Sequence, residues 1–214
     1  MLACCLRGFD LLSAAIIAAG RSSRSGRTHK SCRKVPGKRR TWLEDQILRL
    51  RRGGFAPVWV IAGQRPRRLW HCSRLRVRRK INWHAARLGP FSSIRLATIV
   101  SSGAVLLVQS DTQLPPNGQL RRLIHASKST GTMAAYLVDQ RGYGRHPVLI
   151  RKTLVQRIVT VDQSECRLDH LLQSLPVGTV ATVPVHRFLS YARLNSIKEW
   201  IMAKHRLRVW ARHS

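Results

Sequence analysis

The amino-acid sequence predicts an α/β protein with three layers, in which a mostly parallel sheet carries helices on both faces. Short apolar runs alternate with helix-length amphipathic stretches along the whole chain. Several of these runs are continuously apolar, as is typical of strands buried on both faces of a parallel sheet. Because no long Pro/Gly/Ser linker and no internal repeat divides the alternation, a single domain is expected.

The apolar runs and the amphipathic stretches define the candidate elements. The predicted strands cover residues 14–18, 58–61, 77–81, 104–108, 133–137, 147–150 and 180–183. The predicted helices cover residues 43–52, 92–100, 119–126, 167–175 and 197–205. Ligands of open α/β sheets bind beyond the carboxyl ends of the strands, so functional residues are expected in the loops that follow the strands.

Composition and charge limit the class of protein. The chain has 214 residues, 44% of them hydrophobic and 6% aromatic, which suits a globular domain with a real core and excludes the disordered class. Its 39 basic and 9 acidic residues give a formal net charge of +30. This charge predicts attraction to phosphate groups in nucleotides, nucleic acid or anionic lipid, without selecting among them. The cations are spread from Arg7 to Arg212, so solvated basic faces are an equal alternative.

The start of the chain resembles a signal peptide in one respect, because residues 11–19 are apolar and small residues follow. The charged residue Asp10 directly precedes this apolar run, and the run is shorter than the roughly 20 residues that span a bilayer. We therefore interpret it as a buried strand and expect no membrane span. The predicted domain covers residues 13–205, between an N-terminal extension, 1–12, and a basic tail, 206–214. The five cysteines form no CxxC pair and no zinc-ligand spacing, which predicts reduced thiols in a cytoplasmic protein.

A loop rich in glycine and serine follows the first predicted strand. Ala18 and Ala19 lead into Gly20 and residues 21–26, and Lys30 comes shortly afterwards. Glycine lets the backbone approach a phosphate, serine and backbone N–H groups donate to its oxygens, and cations neutralise its charge. The loop matches neither the P-loop nor the GxGxxG pattern. From the residues alone it is either an anion cradle or a plain basic turn.

The segment AAIIAAGRSSRSG at residues 14–26, followed by Lys30, closely resembles the signature LAAGxSxRxGxxK of nucleotidyltransferases related to molybdenum cofactor biosynthesis. One extra residue separates the second glycine from the lysine, a variation that the family tolerates. Further segments resemble family motifs in the same order: VPGK at 35–38, GPFSSIR at 89–95, VLLVQSD at 105–111, GRHPVL at 144–149 and RLNS at 193–196. The resemblance implies a Rossmann-like fold of the nucleotide-diphospho-sugar transferase type and the activity of a molybdenum cofactor cytidylyltransferase.

The resemblance also assigns roles to single residues. Those implied to bind the nucleotide are Ala18, Ala19, Gly20, Ser22, Ser23, Gly26, Asn82, Ser92 and Ser93. Arg24 and Lys30 are implied to be catalytic, since they would stabilise the α-phosphate and the leaving pyrophosphate. Charge alone does not distinguish this role from that of ordinary surface cations, because the chain has 39 basic residues. Asn82 is about as well suited to making a turn beside Trp83.

Asp111 ends a predicted strand, and the resemblance implies that it binds Mg²⁺ bridging the triphosphate oxygens. Gln113 stands where the family often has proline. Arg193 stands where the family usually has an acid in a second metal-proximal motif, which leaves Asn195 as the candidate second ligand. Because an arginine would repel Mg²⁺, three alternatives stay open: Asn195 serves alone in that motif, the metal is held mainly by Asp111 and the nucleotide, or the catalyst is weakened. His146 is implied to face the acceptor, although a lone histidine is more often structural.

The function that the resemblance implies is transfer of CMP from CTP to a phosphorylated acceptor such as molybdopterin, with release of pyrophosphate. CTP is favoured over GTP because the family's guanylyl branch tends to carry Gly-Gly where this chain has Ala19 and Gly20. The pair Ser92–Ser93 and the element His146–Pro147 also resemble the cytidylyl branch. The alternative is a degenerate relative that acts as a basic nucleotide- or nucleic-acid-binding protein, which Arg193 and the charge support. The sequence shows no zinc finger, RNP motif or basic zipper, and a role at membrane surfaces depends on charge alone.

Overall fold

The computed structural model describes residues 12–20, 29–35, 37–63, 66–101, 103–162 and 166–185. In this part of the chain, seven strands form one sheet: β1 (Ser13–Ala18), β2 (Val58–Ala62), β3 (Arg78–Ile81), β4 (Val105–Gln109), β5 (Ala134–Val138), β6 (Gly144–Ile150) and β7 (Val180–Pro184). The helices are α1 (Trp42–Arg52), α2 (Pro66–Trp70), α3 (Ala85–Val100), α4 (Asn117–Ala126), α5 (Lys152–Thr160) and α6 (Leu168–Gln173). A short 3₁₀ helix covers Lys30–Cys32.

The sheet is mostly parallel, as the sequence predicts. Its strand order is β3-β2-β1-β4-β6-β5-β7. Strand β1 pairs in parallel with β2 and β4, β2 with β3, and β5 with β7, whereas β6 is antiparallel to both of its neighbours. Ala18 lies opposite Ala62, and Ile17 lies opposite Gln109. Strands β1, β2 and β4 therefore end at the same edge of the sheet, which we call the carboxyl edge.

Apolar residues cover both faces of the sheet, which confirms the three-layer arrangement. In strand β1, Ile16 belongs to one buried cluster and its neighbour Ala15 to the other, because successive side chains of a strand point to opposite faces. Helices α1 and α4 contribute Leu43, Ile47, Leu50, Leu120 and Leu123 to the first cluster. Helices α3, α5 and α6 contribute Phe91, Ala97, Leu154, Ile158 and Leu171 to the second. Burial of each large aliphatic side chain stabilises the fold by roughly 1.5–3 kcal/mol.

Helix α1 begins with a capping box. The Thr41 Oγ1 atom accepts a hydrogen bond of 3.2 Å from the backbone N–H of Glu44, and the Glu44 Oε2 atom accepts one of 2.8 Å from the backbone N–H of Thr41. The Thr41 hydroxyl also donates to the carbonyl oxygen of Cys72 at 2.6 Å. The first turn of α1 is thereby fixed to the loop between α2 and β3.

The structure corrects several predicted elements. Helix α5 was not predicted, because KTLVQRIVT is rich in β-branched residues and its apolar stripe is short; Leu154 and Ile158, four positions apart, form its buried face. Helix α2 was also missed. Helix α3 starts earlier than predicted and is interrupted at Gly89, whose φ of 71° is non-helical. Helix α6 is shorter than the predicted 167–175, and the predicted helix at 197–205 lies outside the described residues.

The prediction that all cysteines are reduced is wrong for one pair. Cys32 and Cys72 form a disulfide; their Cα atoms are 4.6 Å apart, and the two residues are 40 positions apart in sequence. They meet because the 3₁₀ helix and the loop after α2 both pack beside α1, which spacing in the sequence cannot reveal. Cys166 is free.

Within the described ranges, no helix is both long enough and apolar enough to cross a membrane.

Candidate functional site

Lys30 and Asp111 meet at the carboxyl edge of the sheet. Lys30 opens the 3₁₀ helix after β1, and Asp111 lies just beyond the end of β4. The Lys30 Nζ atom lies 2.5 Å from the Asp111 Oδ2 atom, and the two side chains are 16% and 17% exposed. The structure thus joins a residue predicted to be catalytic to a residue predicted to bind metal.

The loop that carries Asp111 is held by buried hydrogen bonds. The backbone N–H of Ser110 donates to the carbonyl oxygen of Ile17 at 3.1 Å, which ties the loop to β1. From helix α1, the Gln46 amide donates to the carbonyl oxygens of Gln109 at 3.2 Å and of Thr112 at 2.8 Å. Gln46 is buried and was not predicted as part of the site. A glutamine on the apolar face of a predicted helix was the signal that could have found it.

His29 lies between the end of β1 and the ion pair. Its Nδ1 atom accepts a hydrogen bond of 3.2 Å from the backbone N–H of Ser31. Burial and the positive charge of Lys30 lower the pKa of His29 from 6.5 to about 4, against the raising effects of a backbone hydrogen bond at Ala18 and of the Asp111 charge. The imidazole is therefore neutral at physiological pH. His29 was also not predicted; it falls in the segment whose extra residue sets this chain apart from the family signature.

Three of the residues predicted to bind nucleotide form one buried cluster. The Asn82 Nδ2 atom donates to the hydroxyl oxygens of Ser92 at 2.8 Å and Ser93 at 2.9 Å. The Asn82 Oδ1 atom accepts from the backbone N–H of His84 at 3.1 Å, so the asparagine also makes the turn that the sequence offered as its alternative role. The Ser92 hydroxyl donates to the carbonyl oxygen of Gly89 at 2.7 Å. These bonds fix the end of β3 to helix α3.

The first residues of the predicted phosphate loop run closely past the end of β2. A Cβ atom on Gly63 would clash with the carbonyl oxygen of Ala19 and lie 3.1 Å from its carbonyl carbon. Glycine at 63 is therefore required for this close backbone approach. Gly20 is exposed, and a Cβ atom there would meet nothing within 4 Å.

Other predicted site residues are only partly placed. Ser22, Ser23, Arg24 and Gly26 lie outside the described residues, as do Asn195 and Arg193. His146 lies in β6, where Val148 pairs with Leu107 of β4. Because β6 runs against β4, His146 is displaced from that pair toward the carboxyl edge. Among the residues that the structure describes, no three His, Cys, Asp or Glu side chains form a group able to hold a metal ion.

A family model gives the class of this α/β protein, which is that of the nucleotidyltransferases. The chain belongs to the family of the MobA-like NTP transferase domain, whose model matches residues 14–179. This match extends from β1 to the residue before β7. No curated protein matches the chain.

Solved structures share the fold over nearly the whole chain. Rv0371c from Mycobacterium tuberculosis H37Rv is 19% identical with a TM-score of 0.75, over 91% of this chain and 97% of that one; another structure of Rv0371c is a complex with manganese. Molybdopterin-guanine dinucleotide biosynthesis protein A from Archaeoglobus fulgidus is 16% identical with a TM-score of 0.68, over 90% and 97% of the two chains. CTP:phosphocholine cytidylyltransferase from Streptococcus pneumoniae is 18% identical with a TM-score of 0.66, over 92% and 99%.

Proposed function

We propose that this protein transfers a nucleoside monophosphate, CMP from CTP, to a phosphorylated acceptor such as molybdopterin, with release of pyrophosphate. The observation that carries the proposal is the Lys30–Asp111 pair, which lies at the carboxyl edge, in the segments that follow the neighbouring strands β1 and β4. In a sheet of this type that edge is the ligand-binding edge. Membership of the MobA-like NTP transferase family supports the same chemistry. We place the reaction in the cytoplasm, where nucleoside triphosphates are available.

Nucleotidyl transfer requires two anions to be brought together. An acceptor phosphate oxygen attacks the α-phosphorus of the triphosphate, the bond to the bridging oxygen breaks, and pyrophosphate leaves with that oxygen. The protein needs to position both phosphates and to neutralise the charge that develops. In this proposal Ala18, Ala19, Gly20, Ser22, Ser23 and Gly26 cradle the triphosphate. Lys30 and Arg24 neutralise the α-phosphate and the leaving pyrophosphate.

Asp111 fits the role of a magnesium ligand. Its carboxylate is mostly buried at the end of β4 and is already matched to a cation, the Lys30 ammonium. Carboxylate oxygens are preferred by Mg²⁺, which is commonly held by one or two protein carboxylates together with substrate phosphates. Asp111 and Asn195 would hold the ion, which when bound would offset the negative charge of the triphosphate. The manganese complex of Rv0371c supports the use of a divalent cation in this fold.

The preference for CTP depends on Ala19. The related structures include both a guanine-dinucleotide biosynthesis protein and a CTP-dependent enzyme. Ala19 stands where the family's guanylyl branch tends to have glycine, and its carbonyl group packs against Gly63. The cluster of Asn82, Ser92 and Ser93 holds the end of β3 against α3 and so fixes the shape of that side of the proposed site. His146, displaced toward the carboxyl edge on β6, is the proposed contact to the acceptor.

The proposal is tested by measuring pyrophosphate release from each of the four ribonucleoside triphosphates, with Mg²⁺ and with or without molybdopterin. Asp111→Ala is the inactive variant, and Asp169→Ala is its matched control, because Asp169 is an exposed carboxylate on α6 paired with Arg167. We expect turnover with CTP that requires both the acceptor and Asp111. Turnover with GTP instead would overturn the base assignment, and activity unaffected by Asp111→Ala would overturn the site.

A second candidate function is binding without catalysis. Arg193 supports it, and so does strand β3, an edge strand whose Arg78, Arg79 and Lys80 are all exposed. An outermost strand with exposed basic side chains suits binding to the phosphates of a nucleic acid. This function predicts no turnover with any triphosphate, together with binding to nucleic acid that weakens steeply with salt. Substitution of Asp111 would then leave that binding unchanged.

A further inference from the structure

A cavity lies at the opposite end of the strands from the Lys30–Asp111 pair. It is formed where β4 and β5 begin and where β6 ends and α5 begins, and its volume is about 600 Å³. That volume falls within the range of roughly 300–1,000 Å³ found for small-molecule sites. Residues 103–104, 128–133 and 151–153 line it.

The cavity is basic. Lys128, Arg151 and Lys152 line it, and none of the lining residues is acidic. The Arg151 guanidinium is held in place, since its Nη1 atom donates to the carbonyl oxygen of Ser127 at 2.8 Å. The backbone N–H of Arg151 donates to the carbonyl oxygen of Met133 at 2.9 Å, which fixes the start of α5 against β5. One cation of the cavity is thus oriented before any ligand arrives.

Hydroxyl and backbone donors accompany the three cations. Thr132 is mostly buried, with 7% of its surface exposed, and it lines the cavity. Its hydroxyl carries one O–H donor and can therefore bond to a ligand held in the cavity. Arg151 is also the N-cap of α5 without a side-chain capping bond, which leaves backbone N–H groups of the first helical turn for a ligand.

We propose that this cavity binds a second phosphorylated small molecule, at the same time as the active site holds its nucleotide. Three cations, the Thr132 hydroxyl and the uncapped start of α5 all donate, and a phosphate group is an acceptor with several oxygens and more than one negative charge. The two sites lie at opposite ends of strand β4: Ala104 lines the cavity, and Asp111 follows the far end of the strand. The ligand of this cavity is therefore not the transferred nucleotide.

The test is a titration of the ¹⁵N-labelled full chain with inorganic phosphate, followed by amide NMR at constant ionic strength, with chloride as the reference anion. We expect saturable shifts at the amides of residues 128–133 and 151–153. The double variant Lys128→Ala/Lys152→Ala should weaken this binding at least about tenfold, since it removes two of three charge-assisted contacts. The control Arg121→Ala/Arg122→Ala loses the same charge from the exposed face of α4 and should leave the shifts intact.

Two further results decide the proposal. The variant Lys30→Ala should keep the shifts at 128–133 and 151–153, because phosphate there does not use the carboxyl edge; this separates the cavity from the proposed catalytic site. Shifts that do not saturate, or that chloride reproduces, would overturn the proposal. Equal loss of binding in the Arg121→Ala/Arg122→Ala control would also overturn it, because the effect would then follow from net charge alone.

Discussion

The Nζ atom of Lys30 lies 2.5 Å from the Oδ2 atom of Asp111, although the two residues are 81 positions apart in the chain. Each side chain is more than four-fifths buried, so removing either charge would leave the other with less compensation in a poorly hydrated place. In the proposed function, a triphosphate and a divalent cation bind beside this pair and bring opposite charges of their own.

Replacement of Asp111 by asparagine should abolish most activity while the fold persists. The amide keeps the shape of the carboxylate but loses the charge proposed to bind Mg²⁺. Loss of one electrostatic group from an active site commonly lowers kcat by about 10²–10³, and we expect a loss in that range for pyrophosphate release. Thermal unfolding of the variant provides the control for folding. Activity within a few-fold of wild type would show that Asp111 serves only as the partner of Lys30.

Replacement of Asn82 by alanine should destabilise the packing of the end of β3 against α3. The buried hydroxyls of Ser92 and Ser93 would lose their common donor, and the His84 N–H would lose its acceptor. Unsatisfied buried groups cost about 1–3 kcal/mol in the free energy of unfolding. Asn117→Ala, at the exposed start of α4, is the control for asparagine removal as such.

A double-mutant cycle checks this assignment. In a Ser92→Ala/Ser93→Ala background, Asn82→Ala should cost less than in the wild type, because the serine hydroxyls are no longer left unpaired. Equal cost in both backgrounds, measured by urea unfolding, would mean that the three side chains do not act together.

Protonation of His29 should destabilise the protein in acid. The folded-state pKa is lowered to about 4 from 6.5, so the unfolded chain binds the proton first as the pH falls. This contribution to stability is fully present above pH 6.5 and is lost as the pH falls from 6.5 toward 4; by linkage it reaches at most about 3 kcal/mol.

The measurement is the free energy of unfolding between pH 7 and pH 4 for the wild type and for His29→Asn. Asparagine retains an acceptor for the Ser31 N–H but does not titrate in this range. The wild type should lose more stability than the variant over this interval. Parallel curves for the two proteins would show that His29 does not contribute to the pH dependence, since carboxylates titrate equally in both.

The strands were predictable because they carry the strongest local signal. The run VLLV in β4 is apolar without interruption, as is typical of a strand buried on both faces of a parallel sheet. Helix α5 carries β-branched residues instead, and its helical form depends on packing of Leu154 and Ile158 against the sheet.

The site was predictable where it consists of motif residues and not where tertiary packing builds it. Lys30 and Asp111 stand within recognisable segments, so their meeting could be expected. Gln46 bonds to the Asp111 loop only because α1 packs beside the end of β4. Cys32 and Cys72 likewise meet only because tertiary packing brings their two segments together. No local pattern specifies contacts between residues so far apart in sequence.

Replacement of Gly63 by alanine should disturb the predicted phosphate loop without creating a cavity in the core. The new Cβ atom would clash with the Ala19 carbonyl oxygen, which belongs to backbone and cannot rotate away as a side chain would. Overpacking of this kind costs about 1–3 kcal/mol, and relief requires Ala19 and Gly20 to move away from β2. Because the proposed triphosphate contacts begin at these residues, the affinity for CTP should fall together with the unfolding temperature.

Gly118→Ala is the matched control for Gly63→Ala. A Cβ atom on Gly118 meets nothing within 4 Å, and the residue lies in the first turn of α4, so the substitution should leave stability unchanged or raise it by up to about 1 kcal/mol. Isothermal titration with CTP and thermal unfolding of both variants supply the comparison. If Gly63→Ala binds CTP as tightly as Gly118→Ala, then the close approach of Ala19 to β2 serves packing alone, and the triphosphate depends on other parts of the loop.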